Sequence, residues 1–145
     1  MEILIDSVEQ MHQLGAKIGA KLKSGDVVVL TGELGSGKTT LTQGIGSAFG
    51  VASVTSPTFV ISRVHKGEPN FIHVDAYRLV DSENPNLYLD DLDLDIANSI
   101  TVIEWGGAES ARLSEDRLEI TIDRSEDQRK VEINPIGSRW AGFSL

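Results

Sequence analysis

The chain has 145 residues, a size that suits one domain with a single hydrophobic core, and we treat residues 1–145 as one domain. Its 22 acidic and 13 basic residues give a formal net charge of −9, which argues against binding nucleic acid through a broad basic surface. The sequence starts without the basic and apolar stretches of a secretory signal, and no apolar run reaches membrane-spanning length. We therefore expect a cytoplasmic protein that does not enter a membrane. The absence of cysteine excludes disulfides and thiolate metal sites.

The first predicted elements are a strand over residues 2–5 and a helix that begins after Ser7. Ser7 is followed three residues later by Gln10, which is the spacing of a capping box at a helix N-terminus. Gly25 marks the end of this segment. Before it, apolar residues recur at helical spacing, namely Val8, Met11, Leu14, Ile18 and Leu22. We interpret the helix as a packing element.

The next strand leads into a glycine-rich loop. Residues 27–30 form a β-branched apolar run that is typical of a strand covered on both faces. Residues 32–39, GELGSGKT, then fit the pattern G-x-x-x-x-G-K-[ST] at every fixed position. Apolar residues at steps of four predict a helix over residues 39–49, which stops at Gly50. A glycine turn that binds nothing would also join a strand to a helix, but the motif in this context favours a phosphate-binding loop.

The chemistry of such a loop depends on its glycines and on two side chains. Glycines allow successive backbone N–H groups to point at phosphate oxygens without a Cβ atom in the way. Lys38 would place an ammonium group on the terminal phosphates, and the Thr39 hydroxyl would ligate the Mg²⁺ that accompanies them. We predict nucleotide contacts from the loop and the start of its helix, namely Gly32, Glu33, Leu34, Gly35, Ser36, Gly37, Lys38, Thr39 and Thr40.

A hairpin with strands over residues 58–65 and 71–77 is predicted next. Strand alternation in its second strand places His73, Asp75 and Tyr77 on one face. A solvated face would explain this polar row, but a histidine, an aspartate and a tyrosine in one row, followed by Arg78, are also typical of a functional site. We favour the site.

Residues 85–98 are acidic and predict a broken helix or a loop. Three alternating aspartates, beginning at Asp91, resemble the start of a calcium-binding loop. The sixth position of that pattern is Ile96 instead of glycine, and the twelfth is Val102 instead of glutamate, so the match fails. We interpret the segment as a solvated acidic face.

Residues 100–103 predict a buried strand beside the strand of residues 27–30, and this strand ends in Glu104. Ligands of open α/β sheets bind outside the carboxyl ends of the strands. Glu104 is therefore expected to face the same crevice as Lys38 and Thr39, as a metal-binding or water-orienting acid. The alternative is an exposed acid just beyond the core.

A second hairpin is predicted near the end of the chain. Apolar residues alternate in two strands, around residues 118–122 and 131–133. The polar residues 123–128 are predicted to form the turn between them. Arg129 starts the return strand, and the pattern alone gives it no role. We interpret this hairpin as structural.

The chain resembles the TsaE (YjeE) family, small bacterial ATPases required to make threonylcarbamoyladenosine in tRNA. The resemblance runs almost end to end and rests on the order and spacing of GELGSGKTT, SPTF, HVDAYR and IEW. It implies an α/β fold, in which a P-loop NTPase core sheet has helices on its faces and additional antiparallel strands. It also implies ATP and Mg²⁺ as cofactors, and TsaB- and TsaD-type proteins as partners. The tRNA would be reached only indirectly, through that complex.

The resemblance also implies roles for single residues. Asp75 and Glu104 would be the catalytic acids, and Thr39 and Glu104 would hold the magnesium ion. Residues 56–59 resemble a nucleotide-sensing switch. Hydrolysis by the isolated protein is expected to be slow, since many phosphate-loop enzymes need an added arginine or an ordered switch to become fast.

Further nucleotide contacts are implied at three places. Trp105 would lie beside the nucleotide, and Arg129 would lie close to the adenine. The start of the first helix, near Ser7 and Val8, would also be near the adenine. Gly106 departs from the family pattern, which commonly has proline after the tryptophan, and this departure loosens the following loop without moving the acid.

Three other functions fit parts of the sequence. A regulatory GTPase would need the base-reading Asn-Lys-x-Asp, but no asparagine of this chain precedes a lysine. A small-molecule kinase would need a lid and an acceptor pocket, and the chain shows neither a basic lid segment nor spare length. A nucleotide-dependent interaction module with negligible turnover would share the site and differ only in rate.

Overall fold

The computed structural model describes residues 1–33, 35–51, 62–66, 69–75, 96–104, 115–125 and 128–145. Several predictions concern other residues and lie outside this description. They are the nucleotide contacts of Leu34 and Trp105, the switch segment 56–59, the polar residues Tyr77 and Arg78, the acidic residues 85–95 and the departure at Gly106.

The described residues form one mixed sheet with two α-helices, which confirms the predicted α/β class. The helices are α1 (Val8–Gly19) and α2 (Lys38–Ser47). The strands are β1 (Glu2–Ile5), β2 (Val27–Gly32), β3 (Ser62–His65), β4 (Asn70–Asp75), β5 (Ser99–Glu104), β6 (Arg117–Ser125) and β7 (Gln128–Ile136). Their order across the sheet is β1-β7-β6-β2-β5-β4-β3. Within these residues, neither helix has the length and apolar content needed to cross a membrane.

The centre of the sheet is parallel and its margins are antiparallel. β2 lies between β5 and β6 and runs parallel to both, and β4 runs parallel to β5. Antiparallel partners continue the sheet on each side, with β3 beside β4 and with β7 and β1 beyond β6. The additional antiparallel strands are thus as predicted.

The central strands are buried on both faces, as the apolar run in residues 27–30 predicted. Val28 and Leu30 belong to the core cluster that includes the buried residues of both helices. Val27 and Val29 are equally buried, but they lie on the opposite face and outside that cluster. We call the face that carries α1 and α2 the helix face, and the opposite one the second face.

The two helices cross at a glycine contact. A Cβ atom on Gly15 of α1 would lie 2.3 Å from the Leu41 carbonyl oxygen and 2.9 Å from the Cα atom of Gly44 in α2. A Cβ atom on Gly44 would lie 2.2 Å from the His12 carbonyl oxygen. No side chain fits at either position, so the backbones of α1 and α2 touch directly.

The first helix begins after Ser7 as predicted, but its end and the burial of its first residue differ from the prediction. It ends at Gly19 and not near Gly25, because the next turn is tightened by bonds from Lys21 N–H to the Ile18 carbonyl (2.9 Å) and from Leu22 N–H to the Gly19 carbonyl (3.1 Å). Leu22 is nevertheless buried as predicted. At the other end, Val8 is 74% exposed and does not join the packing face.

The predicted cap of this helix is present with one change. Ser7 Oγ accepts a hydrogen bond from Gln10 N–H at 3.1 Å, as in a capping box. The Gln10 side chain accepts its bond from Asp6 N–H at 2.7 Å, one residue earlier than the motif predicts. The start of α1 is therefore fixed by two reciprocal bonds.

The first predicted hairpin is confirmed as β3 and β4. In the second hairpin the turn is shorter than predicted, since β6 continues to Ser125 and β7 begins at Gln128. Asp123 and Arg124 are strand residues and not turn residues, and Arg124 pairs directly with Arg129. The six-residue polar turn was therefore a wrong prediction.

The glycine contact gives a test of the packing. Gly15→Ala should destabilise the protein by about 2 kcal/mol or more, since the added methyl group meets backbone atoms that cannot move aside. Helix propensity alone predicts the opposite, a gain of about 1 kcal/mol. Urea unfolding measures the free-energy change, and Gln13→Ala at an exposed position of α1 is the control. A Gly15→Ala protein as stable as the unmodified one would contradict the contact.

Candidate functional site

The parallel centre of the sheet brings most of the predicted site residues to one edge. The carboxyl ends of β2, β4, β5 and β6 point the same way. The loop of residues 32–39 leaves β2 at this edge, Asp75 and Glu104 end their strands there in register with each other, and Arg129 lies opposite the end of β6. α1 also begins at this edge, because β1 leads into it. We call it the carboxyl edge.

The loop itself joins the last residue of β2 to the first residue of α2. Ser36 N–H bonds to the Glu33 carbonyl at 3.0 Å and closes the turn. Gly35 and Gly37 have φ values of +80° and +111°, which favour glycine. Gly37 is the N-cap residue of α2 and carries no side chain to accept from the first N–H groups of the helix. Such uncapped N–H groups are suited to an anion.

Lys38 is buried, with only 6% of its surface exposed. Its ammonium folds back to the start of the loop, where Nζ donates to the Gly32 carbonyl at 2.5 Å and approaches the Glu33 carbonyl at 3.4 Å. A buried cation is costly unless an anion or good acceptors offset it. The Lys38 ammonium thus lies on the first residues of the loop, and its contact with phosphate stays a prediction.

Close packing explains why the loop begins with glycine. A Cβ atom on Gly32 would lie 2.7 Å from Ser36 Oγ and 2.9 Å from the Ile122 carbonyl oxygen. Ser36 Oγ is buried and has no hydrogen-bond partner among the described residues. A buried hydroxyl without a partner is rare, and here it lies within the candidate phosphate cradle.

Glu104 is buried beside a buried histidine. His73 Nε2 lies 3.1 Å from Glu104 Oε1, and the exposed fractions of the two residues are 0% and 6%. The angles are not those of a hydrogen bond, so the pair is an electrostatic contact. Both the solvated face considered for His73 and the exposed position considered for Glu104 are wrong. Register explains the contact, since His73 pairs with Val102 on the same face as Glu104.

The positions of two residues near this edge were not predicted. His73 was grouped with Asp75 by strand alternation, but its contact with the next strand needs the register between β4 and β5. Arg124 was placed in a turn, whereas it is a β6 residue close to the loop. The sequence did contain a signal for Arg124. The alternation that places Leu118, Ile120 and Ile122 on one face of a strand extends to position 124.

The second face carries a cavity of about 330 Å³. Its lining side chains include three carboxylates, and the lining residues are Thr31, Gly32, Glu33, Thr121, Ile122, Asp123, Lys130 and Glu132. A hydrogen bond to Glu2 raises the pKa of the Lys130 ammonium, which lies 3.1 Å from the Glu2 carboxylate. This cavity is acidic and its cation is already paired, so it is a poor site for a polyphosphate.

The carboxyl edge has the ligand types that a magnesium ion takes beside phosphates, a threonine hydroxyl at Thr39 and a carboxylate at Glu104. Glu104 Oε1 is buried and lacks a hydrogen bond within the described residues, so it has an acceptor position to offer. In the part of the chain that the structure describes, no three His, Asp or Glu side chains form a metal cage. Magnesium needs none, because it is usually held by one or two carboxylates and by substrate phosphates.

The family model described as "Threonylcarbamoyl adenosine biosynthesis protein TsaE" matches residues 5–131. The chain belongs to the TsaE family. The family is one of tRNA threonylcarbamoyladenosine biosynthesis, as the resemblance from sequence predicted.

Individual relatives agree with this assignment. The tRNA threonylcarbamoyladenosine biosynthesis protein TsaE of Streptomyces coelicolor is 46% identical over 142 residues, which are 90% of this chain and 94% of that protein. The Bacillus subtilis protein of the same name is 33% identical and is matched over 91% of this chain and 84% of that protein. The solved structure of Bacillus subtilis YdiB superposes with a TM-score of 0.76 at 26% identity, over 97% of this chain and 88% of that one. The fold is that of P-loop NTPases.

A double-mutant cycle tests the contact between His73 and Glu104. We expect His73→Gln and Glu104→Gln to show a coupling free energy of about 1 kcal/mol or more in urea unfolding, because each change removes the electrostatic partner of the other. His73→Gln combined with Glu119→Gln, on β6, is the control and should be additive. Additivity of the first pair would mean that the two side chains do not interact in solution.

Proposed function

We propose that this TsaE-family protein is a Mg²⁺-dependent ATPase that acts with TsaB- and TsaD-type partners in the threonylcarbamoylation of tRNA adenosine. One observation carries the nucleotide site. A loop with the G-x-x-x-x-G-K-[ST] pattern joins a central parallel strand to a helix, with the Lys38 ammonium held on the Gly32 carbonyl. Fold class alone would not carry it, because function resides in the site.

The loop binds the phosphates in this proposal. Backbone N–H groups from Gly35 to Thr39 surround the phosphate oxygens, and the N-terminus of α2 contributes its partial positive charge. Lys38 exchanges a carbonyl contact for a phosphate contact, which is stronger because both groups are charged. The Ser36 hydroxyl gains the partner that it lacks among the described residues.

The magnesium ion would be held by Thr39 and Glu104. It would supply charge neutralisation at the bridging and terminal phosphates. His73 has a positioning role, since its ring lies against the Glu104 carboxylate and limits where that carboxylate can turn. This arrangement accounts for a histidine buried in the sheet beside an acid.

Hydrolysis needs an oriented water, and we assign this role to Asp75, which ends β4 in register with Glu104. The water oxygen bonds to the terminal phosphorus while the bond to the bridging oxygen breaks, so that ADP leaves with the electron pair. The water proton passes to the released phosphate or to a carboxylate. Positioning and charge stabilisation provide most of the catalysis in such reactions.

The adenine end of the site uses the start of α1. Val8 is largely exposed there, one helical turn before Met11, whose Cε atom would lie 3.0 Å from a Cβ atom on Gly37. α1 thus begins close to the phosphate loop. Arg129 lies opposite Ile5, the residue that ends β1 just before this helix. An apolar side chain and a guanidinium are both suited to an adenine ring.

Partners are part of the proposal because the resemblance to the TsaE family implies TsaB- and TsaD-type proteins. Many phosphate-loop enzymes accelerate only when an added arginine or an ordered switch completes the site. We therefore expect slow hydrolysis alone and faster hydrolysis with TsaB- and TsaD-type proteins. The net charge of −9 gives little counterion release on binding free tRNA, so tRNA alone should not stimulate.

Lys38→Ala tests the nucleotide site. It should weaken Mg·ATP binding at least about tenfold in calorimetry, since a charge-assisted contact to the phosphates is lost. Lys17→Ala removes an exposed lysine of α1 and is the control, with no expected change. Circular dichroism verifies that both variants are folded. Unchanged affinity in a folded Lys38→Ala protein would exclude the site.

Glu104→Gln tests turnover separately from binding. We expect ATP binding to persist and phosphate release to fall on the order of 100-fold, with and without the partner proteins, because the acid acts on the metal or the water. Full activity would show that another carboxylate does this work. If the unmodified protein binds ATP but releases no phosphate, even with the partner proteins, the result would favour an interaction module.

A further inference from the structure

Two arginines face each other at the end of the β6–β7 hairpin. Arg124 and Arg129 are directly paired across the strands, and both lie on the helix face, in line with the buried residues Ile122 and Val131. Side chains directly opposite in an antiparallel pair are close, and like charges at such positions are destabilising. The repulsion between the two guanidinium groups therefore has an energetic cost, and the two acids of the connecting turn, Glu126 and Asp127, lie outside the described residues.

Nothing in the described part of the chain offsets these charges. Neither guanidinium has an ion pair or a hydrogen bond there, although the chain has an excess of nine negative charges. Two other arginines are paired, Arg117 with Glu119 at 2.9 Å and Arg139 with Asp26 at 3.1 Å. An arginine pair with no partner among the described residues has N–H donors to offer to an anion.

The arginine pair lies beside the loop, which points to a phosphate group as the anion. A Cβ atom on Gly35 would lie 3.2 Å from Arg124 Nη1, so this guanidinium lies against the phosphate loop. Arg129 lies farther along the edge, opposite Ile5 and next to the start of α1. The two arginines thus bridge the space between the loop and α1.

We propose that Arg124 binds the polyphosphate directly, from its position beside Gly35 of the loop. This inference rests on the proposed nucleotide site and adds a contact that the loop motif does not contain. A guanidinium presents several N–H donors in a planar fork, which matches two oxygens of a phosphate group. A phosphate on Arg124 would also offset the repulsion between Arg124 and Arg129, so that ligand binding would stabilise this end of the hairpin.

A phosphate contact has a specific signature. Loss of Arg124 should lower the affinity for a ligand in proportion to the phosphate charge that the ligand carries near the loop. The affinity for an uncharged nucleoside should not change. If Arg124 had a purely structural role, its loss would disturb the fold and would lower the affinities for all ligands together. Since the arginine pair is destabilising without an anion, Arg124→Ala should leave the melting temperature of the ligand-free protein unchanged or raise it.

The experiment is calorimetric titration of the full chain with ATP, ADP and adenosine, and with magnesium present. We expect Arg124→Ala to bind ATP about tenfold more weakly and ADP also more weakly, with adenosine unchanged, and Arg124→Lys to restore part of the loss. Lys130→Ala is the matched control. It removes one positive charge from the same hairpin but on the second face, where Lys130 is paired with Glu2, and it should leave all three affinities unchanged.

The outcomes separate this inference from the function on which it rests. If the unmodified protein binds ATP, Lys38→Ala loses binding and Arg124→Ala matches Lys130→Ala, the nucleotide site stands and the role of Arg124 is wrong. Equal losses for ATP and adenosine in Arg124→Ala would also overturn it, because the residue would then be structural. If the unmodified protein binds no ATP, the proposed function and this inference both fall.

Discussion

The parallel pairing of β2 with both β5 and β6 is the constraint on which the rest of the structure depends. Parallel neighbours end at the same edge of a sheet, so residues far apart in the sequence arrive together. Gly32 ends β2, Glu104 ends β5 and Arg124 approaches the end of β6. A reversal of any one of these strands would move its side chain to the opposite edge. The close packing of Gly32 against Ser36 and the Ile122 carbonyl then sets the shape of the loop.

The carboxyl edge brings together charged side chains of both signs. Lys38 rests on backbone carbonyl oxygens, Glu104 touches a buried histidine without an aligned hydrogen bond, and Arg124 faces Arg129. The arginine pair costs stability in the protein alone, because like charges lie directly opposite each other. All three would gain from one ligand that brings phosphate and a divalent cation, which is a physical reason for the charges to be grouped there.

Much of this organisation was predictable from sequence. The phosphate loop followed from a short motif between a strand and a helix, and the position of Glu104 followed from the rule that sites lie beyond the carboxyl ends of parallel strands. Helix length was less predictable, because apolar spacing continues to Leu22 although the α-helical bonds stop at Gly19. Leu22 is buried just after the helix, at the same sequence spacing that a buried residue within the helix would have, so the spacing does not show where the helix ends.

The features that depend on register were not predictable. The contact of His73 with Glu104 requires the alignment of β4 with β5, and the Arg124–Arg129 pair requires a short connection between β6 and β7. Polar residues at the ends of these strands look like a turn, because composition alone does not show where strand pairing ends. The exposure of Val8 was missed for a similar reason, since the first residue of a helix can lie beyond the surface that the helix packs on.

The central claim is that Mg·ATP binds at the carboxyl edge on the helix face, and amide chemical-shift mapping by NMR tests it most directly. Titration should change the amide signals of residues 35–40 most, with further changes at Glu104, Arg124 and Arg129. Signals at the opposite edge, such as those of Gly25 and Ser99, should remain in place. The account would be contradicted if the largest changes appeared around Thr121 and Glu132 in the acidic cavity of the second face, or if saturating Mg·ATP moved no signal of the loop.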